Sequence, residues 1–307
     1  MIHFISPRKK DRVNSTAESV QKHNPGLYVI STPIGNLLDL SQRAIHILEH
    51  CDIVLSEDTR VTVKLLNAYG IKKQKKQLLS YHKFNEEQRI ADFNFSDVKK
   101  HIIALVSDAG TPTIADPGSK IVAKCHQLKL PVFSVPGCCS VMAGFSISGL
   151  ELKTNQFLYF AGFFPRKKKD ANELLEKASQ IGGYIICFEA AKRLETFLEI
   201  ISSFFEDDLT IFIAKEMTKI HEATLRGTCS KILAELRENE QKKEQFSKGE
   251  IVVIIDMSVV KQTTGDDKEI EFWSAALKPH LKNTVLAKIL SKRFGKNRQN
   301  LYSKLIK

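Results

Sequence analysis

Val106-Ser-Asp-Ala-Gly-Thr-Pro-Thr-Ile-Ala-Asp-Pro-Gly118 is the stretch of this chain best suited by composition to hold a ligand. It follows the apolar run Ile102–Val106 and precedes a helical pattern, Ser119–His126. A Gly/Thr/Pro/Asp loop at the carboxyl end of a parallel strand is where open α/β sheets bind ligands. This one offers backbone N–H groups, the carboxylate of Asp108 and little side-chain bulk. That suits an adenosine-type cofactor. A triphosphate suits it less, because no Lys-Ser/Thr ending of a P-loop follows. A tight β–α connection would use the same turn residues.

Other polar groups fall at the ends of other strand-like runs. In Ser31-Thr-Pro-Ile-Gly-Asn-Leu-Leu-Asp-Leu40, Pro33 and Gly35 keep the strand end open, and Gly35 removes bulk where a cofactor would approach. Ser56-Glu-Asp-Thr-Arg60 puts two acids, a hydroxyl and a guanidinium at one strand-to-helix junction. A plainer reading makes Asp58 or Thr59 a helix cap and Arg60 its ion-pair partner. Ser80–Glu87 sets His82, Asn85 and Glu86 on a loop that enters a helix. Phe160-Ala-Gly-Phe-Phe-Pro-Arg-Lys-Lys-Lys169 interleaves aromatics with cations, which suits RNA, where bases stack and phosphates pair. Cys187–Arg193, Ala214–Lys219, Leu225–Thr228 and Lys248–Glu250 also place charges at strand ends.

The elements that must position these groups follow from periodicity. Strand-like runs recur at 27–31, 53–56, 77–81, 102–106, 132–135, 157–161, 184–188, 209–214 and 251–256. Between most of them lie helical patterns, at 40–50, 59–68, 86–93, 119–128, 140–150, 171–180, 193–204 and 230–238. Such alternation predicts α/β layers. The boundaries expected are a basic tail over 1–24, an α/β domain over 25–136, a second over 137–260, a polar linker near 261–268 and a basic helical segment over 268–307. In that segment, 283–294 and 297–306 read as two helices around Gly295, of helix-turn-helix size.

The chain has 307 residues, 43% of them hydrophobic, and a formal charge of +11. The charge is uneven: 1–26 carries +3 and 272–307 carries +9, leaving the body near neutral at −1. Basic ends on a neutral body point to a polyanionic partner such as nucleic acid. The six cysteines have neither C-x-x-C nor zinc spacing, so neither a metal site nor a redox pair is expected, and a reducing cytoplasm fits. No secretory signal is read in the polar first 25 residues. The uncharged stretch 130–150 is broken by Pro131, Pro136, Gly137, Gly144 and Gly149, which argues against a membrane span.

Taken in order, Leu27-Tyr-Val-Ile-Ser-Thr-Pro-Ile-Gly-Asn36, Glu57-Asp-Thr-Arg60, Ser107-Asp-Ala-Gly-Thr-Pro-x-Ile-x-Asp-Pro-Gly118, Val135-Pro-Gly137, Gly162-Phe-Phe-Pro-Arg-Lys167, Lys215-Glu-Met-Thr-Lys219 and Lys248-Gly-Glu250 resemble the tetrapyrrole methylase superfamily. Within it, they resemble the enzymes that methylate a cytidine 2′-hydroxyl of 16S ribosomal RNA. The resemblance runs from about Leu27 to Asp256. It implies two α/β domains with S-adenosylmethionine in the cleft between them, a small C-terminal helical domain and a homodimer. It places cofactor contacts on Pro33, on Ser107, Asp108, Ala109 and Gly110, near Ile114, on Cys139 and Ser140, and near Glu189 and Met217. Relatives often have Pro at the position of Cys138, and Tyr-Glu-Ser-x-x-Arg where this chain has Phe188-Glu-Ala-Ala-Lys-Arg193. The second change removes a hydroxyl at Ala190 and keeps Glu189 and Arg193.

Methyl transfer to a ribose hydroxyl is an in-line displacement in which the hydroxyl loses its proton, so alignment and a positioned base matter. Candidates are Glu57 and Asp58 in the first half, and Lys215, Glu216, Lys248 and Glu250 in the second. Lys215 and Glu216 as a pair, with Asp58, are the expected catalytic groups, the ammonium stabilising the developing oxyanion. A domain-junction salt bridge would use the same pair. Arg60, His82, Asn85, Arg166 and Lys167 are the expected RNA contacts. Two alternatives remain open: a corrinoid or porphyrin methyltransferase of the same superfamily, and a nucleic-acid-binding regulator with a ligand-sensing α/β body. The acid-free basic tail speaks against the first and the polar junction at 56–60 against the second; turnover of S-adenosylmethionine discriminates.

Overall fold

The computed structural model describes residues 23–72, 76–154, 156–205, 209–258, 265–294 and 297–306. Residues 1–22 of the basic tail and 261–264 of the expected linker lie outside the described residues. The chain divides into two compact units.

The first unit holds a five-stranded sheet of β1 (Gly26–Ile30), β2 (Ile53–Ser56), β3 (Gln77–Ser80), β4 (Ile102–Val106) and β5 (Val132–Val135), in the order β3-β2-β4-β1-β5. All four neighbouring pairs are parallel. Parallel strands covered on both faces need apolar side chains at nearly every position. Here the alternation splits into two cores. Tyr28, Ile30, Val54, Ala104 and Val106 pack with Ala44, Ile47, Leu48 and Leu66 from the helices Gln42–His50 and Thr59–Ala68. Leu27, Ile53, Leu55, Ile103 and Leu105 pack with Val98, Ile121 and Cys125, the last two from the helix Ser119–Gln127.

The second unit holds β6 (Leu158–Phe163), β7 (Tyr184–Ala190), β8 (Thr210–Lys215), β9 (Ala223–Thr228) and β10 (Glu250–Asp256), in the order β6-β7-β10-β8-β9. β6 runs parallel to β7, and β7 antiparallel to β10. Its helices include Lys168–Ile181, Leu194–Phe204 and Cys229–Glu238. β9 and the short helix Glu240–Gln245 have no counterpart in the sequence expectation. At the sheet's end, β9 buries only Leu225 and carries Arg226 and Gly227, so it lacks an apolar run.

The units do not divide at 136/137. Residues up to Ile147 belong to the first, because the helix Ser140–Ile147 follows β5 after a short turn; Ala214–Ala223 belong there too. The second unit takes Ser148–Ile213 and everything from Thr224 onward. Its C-terminal part is three helices, Gly265–Leu277, Asn283–Phe294 and Arg298–Ile306, with their own core of Ile270, Leu286, Ala287, Leu290, Leu301 and Leu305. The expected helix pair is present, and a third helix joins its core through Ile270. No helix among the described residues is long and apolar enough to cross a membrane.

Candidate active site

The carboxyl edge of the first sheet is held together by its loops. Thr32 and Gly110 exchange backbone hydrogen bonds of 2.9 and 3.1 Å, joining the turn after β1 to the loop after β4. Inside that joint Thr32 Oγ1 donates to the Ser107 carbonyl at 3.2 Å, and Ser107 Oγ to the Gly110 carbonyl at 3.2 Å. Thr111 Oγ1 donates to the Cys138 carbonyl at 2.8 Å, which brings in the turn after β5. Its single proton is then used, so Ser31 Oγ donates to Thr111 Oγ1 at 2.9 Å. Ser107 and Gly110 are therefore buried frame, whereas Asp108, Ala109 and Ile114 stand exposed on it. Cys139 and Ser140 open the helix Ser140–Ile147 beside this joint, and the Cys139 carbonyl accepts from Ala143 N–H at 2.9 Å.

The junction after β2 does two things. The Asp58 backbone N–H donates to Asp108 Oδ1 at 3.0 Å, tying β2's end to the loop Ser107–Gly118, the signature loop. The Asp58 carboxylate caps the helix Thr59–Ala68 through Arg60 N–H and grips the Arg60 guanidinium at 2.6–3.1 Å. Those hydrogen bonds hold its carboxyl down to about 2. A carboxylate so engaged is a poor proton acceptor, so the cap reading of Asp58 describes what it does here. Glu57 and Asp108 move the other way. Desolvation raises both, and the charges of Asp116 and Asp108 raise Glu57 further. No lysine or arginine occurs between Ser107 and Gly118, so this edge is acidic.

His82 and Asn85 are occupied locally. The Asn85 side chain accepts from His82 N–H at 2.8 Å and donates to the Ser80 carbonyl at 3.1 Å, which closes its own turn.

The loop Ala214–Ala223 completes this unit. Lys215 is only 5% exposed, and no ion pair forms to it among the described residues. Glu216 pairs instead with Lys219, at 3.0 Å. Met217 is buried. Thr218 Oγ1 accepts from Asn36 N–H at 3.0 Å. A Cβ on Gly35 would lie 2.4 Å from Lys219 Cγ and 2.7 Å from Thr218 Oγ1, so Gly35 makes room for this loop. Among the described residues, four without the freedom of glycine have left-handed φ. Three of them, Thr113 (76°), Glu216 (49°) and Thr218 (68°), sit on the signature loop and on this one. Strain of that kind persists only where surroundings enforce it, and it clusters at binding and catalytic loops.

In the second unit Glu189 is buried on β7. Its Oε1 accepts from Ala190 N–H at 2.7 Å; its Oε2 makes no hydrogen bond and faces Arg193 at 3.5 Å. Arg193 also reaches the Pro165 carbonyl at 3.4 Å. Arg166 and Lys167 follow, exposed at the start of the helix Lys168–Ile181. Cations at a helix N-terminus oppose its dipole by about 0.3–1 kcal/mol each. Among the described residues of this run only Lys169 finds a carboxylate, Glu173 at 3.9 Å. Sequence reasoning missed Thr111, Glu86 and Thr218 as parts of the frame; each bonds a residue far along the chain, a signal that local spacing does not carry. Among the described residues no cluster of His, Cys, Asp or Glu is arranged to hold a metal ion.

The family model for tetrapyrrole (corrin/porphyrin) methylases matches residues 26–233. Among curated proteins, the ribosomal RNA small subunit methyltransferase I of Hydrogenobaculum sp. (strain Y04AAS1) is 40% identical over 229 residues, 75% of this chain and 94% of that protein. The protein of that name from Buchnera aphidicola subsp. Acyrthosiphon pisum (strain APS) is 36% identical over 284 residues, 92% of this chain and 96% of that one. Among solved structures, a cobalt precorrin-4 methyltransferase of cobalamin biosynthesis superposes with a TM-score of 0.52 at 15% identity, over 78% of this chain and 96% of that one. A uroporphyrin-III C-methyltransferase from Thermus thermophilus, complexed with S-adenosyl homocysteine, gives 0.50 at 13% identity, over 76% of this chain and 98% of that one. At these identities the two structures speak for the fold alone.

Proposed function

Since the chain belongs to the tetrapyrrole (corrin/porphyrin) methylase family, and within it to the ribosomal RNA small subunit methyltransferase I proteins, we propose that it transfers a methyl group from S-adenosylmethionine to a cytidine 2′-hydroxyl in 16S rRNA of the small ribosomal subunit. A homodimer working in the cytoplasm goes with this reading. The observation that carries it is a coincidence of place: the loop that holds the strained Thr113 also carries Asp108, and the loop that holds the strained Glu216 and Thr218 starts at Lys215, the last residue of β8.

The residues present fit the cofactor. It has a net positive charge at neutral pH, and the carboxylates of Glu57, Asp108 and Asp116, on an edge whose one nearby guanidinium, Arg60, is already held by Asp58, favour such a ligand over a nucleotide phosphate. Asp108 would accept hydrogen bonds from ribose hydroxyls, and Ile114, exposed on the same loop, would cover an apolar face. Pro33, Ala109, Cys139, Ser140 and Met217 would line its surroundings. When bound, the cofactor supplies an electrophilic methyl on a sulfonium sulfur.

The chain's own residues do the rest. Lys215, buried at the end of β8, would stabilise a developing 2′-oxyanion more strongly than bulk water does. Glu216 or Glu57 would take the proton, and Glu57 is the better poised, because desolvation and its acidic neighbours raise it. Arg166, Lys167 and the acid-free tail from Phe272 onward would hold phosphates. Arg60 and His82 are further candidates on the first unit.

The test is incubation of the purified protein with methyl-labelled cofactor and 30S subunits lacking 2′-O-methylation, with the label mapped by nuclease digestion and mass spectrometry. Label on one cytidine ribose is expected. Cofactor turnover on a corrinoid or porphyrin with no label on RNA would overturn the substrate; binding without turnover would make the protein a sensor.

A further inference from the structure

The edge strand β6, near the start of the second unit, carries an exposed aromatic ring. Phe163 is 66% exposed, although it is a phenylalanine within a strand. β6, its strand, ends the sheet. Residues three apart in a regular strand face opposite sides. Phe160 and Phe163 do not: the register with β7 slips between them, so that Phe160 pairs with Ile186 and Phe163 with Phe188. Gly162, at φ 71° with nothing near its missing side chain, absorbs the slip. Both rings then flank Phe188 edge-on, with centroids 5.0 and 5.4 Å away. A bulge that re-aims a side chain is a common device beside functional sites.

The surroundings of this aromatic cluster are fixed and cationic. Phe164 N–H donates to the Phe188 carbonyl at 2.9 Å, which pins the chain just after Phe163. Arg193 holds the next carbonyl, that of Pro165, at 3.4 Å, and the same guanidinium faces Glu189. The exposed run Arg166-Lys-Lys-Lys169 follows at once. An exposed ring beside four cations is a poor match for an apolar protein segment. It is a good match for a strand that alternates flat bases with phosphates.

We propose that Phe163, supported by Phe160 and Phe188, is a stacking platform for an unpaired base of the RNA substrate, with Arg166–Lys169 taking the adjoining phosphates. This rests on the reading of the protein as an RNA methyltransferase and adds to it the chemical form of the substrate: single-stranded nucleotides next to the target. Stacking tolerates any base, so the platform supplies affinity and placement rather than sequence choice.

The test uses the full-length protein with Phe163→Leu, which keeps the apolar bulk and removes the aromatic face, and Phe163→Trp, which restores a face. Steady-state methylation of 30S subunits, cofactor affinity by calorimetry, sedimentation velocity and crosslinking to a 4-thiouridine-substituted single-stranded RNA are read in parallel. Expected are a KM for 30S about tenfold higher in Phe163→Leu, kcat and cofactor affinity within twofold, recovery in Phe163→Trp, and a crosslink on the peptide that contains Phe163. An unchanged KM in Phe163→Leu overturns the platform while leaving the methyltransferase reading intact. A shift from dimer to monomer in Phe163→Leu also overturns it, since the face would then belong to a second copy of the chain. Failure of the wild-type protein to methylate or crosslink RNA would overturn both readings together.

Discussion

The carboxylate of Glu86 accepts a 2.9 Å hydrogen bond from the backbone N–H of Gly118, thirty-two residues away. Glu86 is buried, and its second oxygen lies 4.0 Å from Lys120 Nζ. Gly118 is the last residue of the signature loop and caps the helix Ser119–Gln127, so one side chain fastens the loop's far end and places negative charge at a helix N-terminus. Replacing Glu86 by Ala leaves a buried N–H unpaired, which costs about 1–3 kcal/mol. Urea denaturation of Glu86→Ala is expected to show a loss in that range, together with weaker cofactor binding. An unchanged midpoint would mean that the loop's end is held by something else.

Gly35 is the corresponding point on the other side of the loop joint. Its added methyl would fall 2.4 Å from Lys219 Cγ and 3.1 Å from the Met217 carbonyl. The first clash can be relieved by a flexible side chain, but the second is with backbone. Gly35→Ala is therefore expected to push the loop Ala214–Ala223 from its place and to break the 3.0 Å bond from Asn36 N–H to Thr218 Oγ1. Calorimetry should show cofactor affinity reduced at least tenfold, with the unfolding midpoint of the sheet barely moved. Retained affinity would remove Met217 from the cofactor's surroundings.

These two residues show what was legible in the sequence. The first sheet was readable because parallel strands buried on both faces must be continuous apolar runs, as in Ile53–Ser56 and Ile102–Val106. β9 was not, because an end strand that buries Leu225 alone looks like a loop. Gly35 was recognised as a place where bulk is excluded, but the neighbour that requires it is the loop at Met217–Lys219, a long-range fact. The signature loop was legible as chemistry, through Asp108 and its glycines. Its fastening by Glu86 and Thr111 was not, because a hydrogen bond between distant residues leaves no period or spacing to read.

Asp58 gives a prediction in pH. Its hydrogen bonds to Arg60 lower its carboxyl from 3.8 to about 2. A depressed folded-state value means stability that is present above 3.8 and is lost as pH falls towards 2. The wild-type melting temperature is thus expected to fall more steeply between pH 4 and pH 2.5 than that of Asp58→Asn, which keeps the cap and cannot titrate. The two proteins should differ little in slope above pH 5. Equal slopes below pH 4 would show that the Arg60 clamp does not persist in solution.

Lys215 separates catalysis from stability. An ammonium that is 5% exposed, with no ion pair among the described residues, is a poor choice for a fold to make on stability grounds alone. Methionine has similar length and no charge, so Lys215→Met replaces a buried amine by an apolar group with little change in packing. The variant is expected to melt at the wild-type temperature or above it. Loss of one donor aimed at a developing oxyanion typically lowers kcat by about 10²–10³. A similar fall is expected here for methylation of 30S subunits, with the KM for RNA and the cofactor affinity within about threefold. Lys215→Arg should recover part of the rate, since it restores the charge at a shifted position. A variant that melts lower and keeps its kcat would make Lys215 a structural residue.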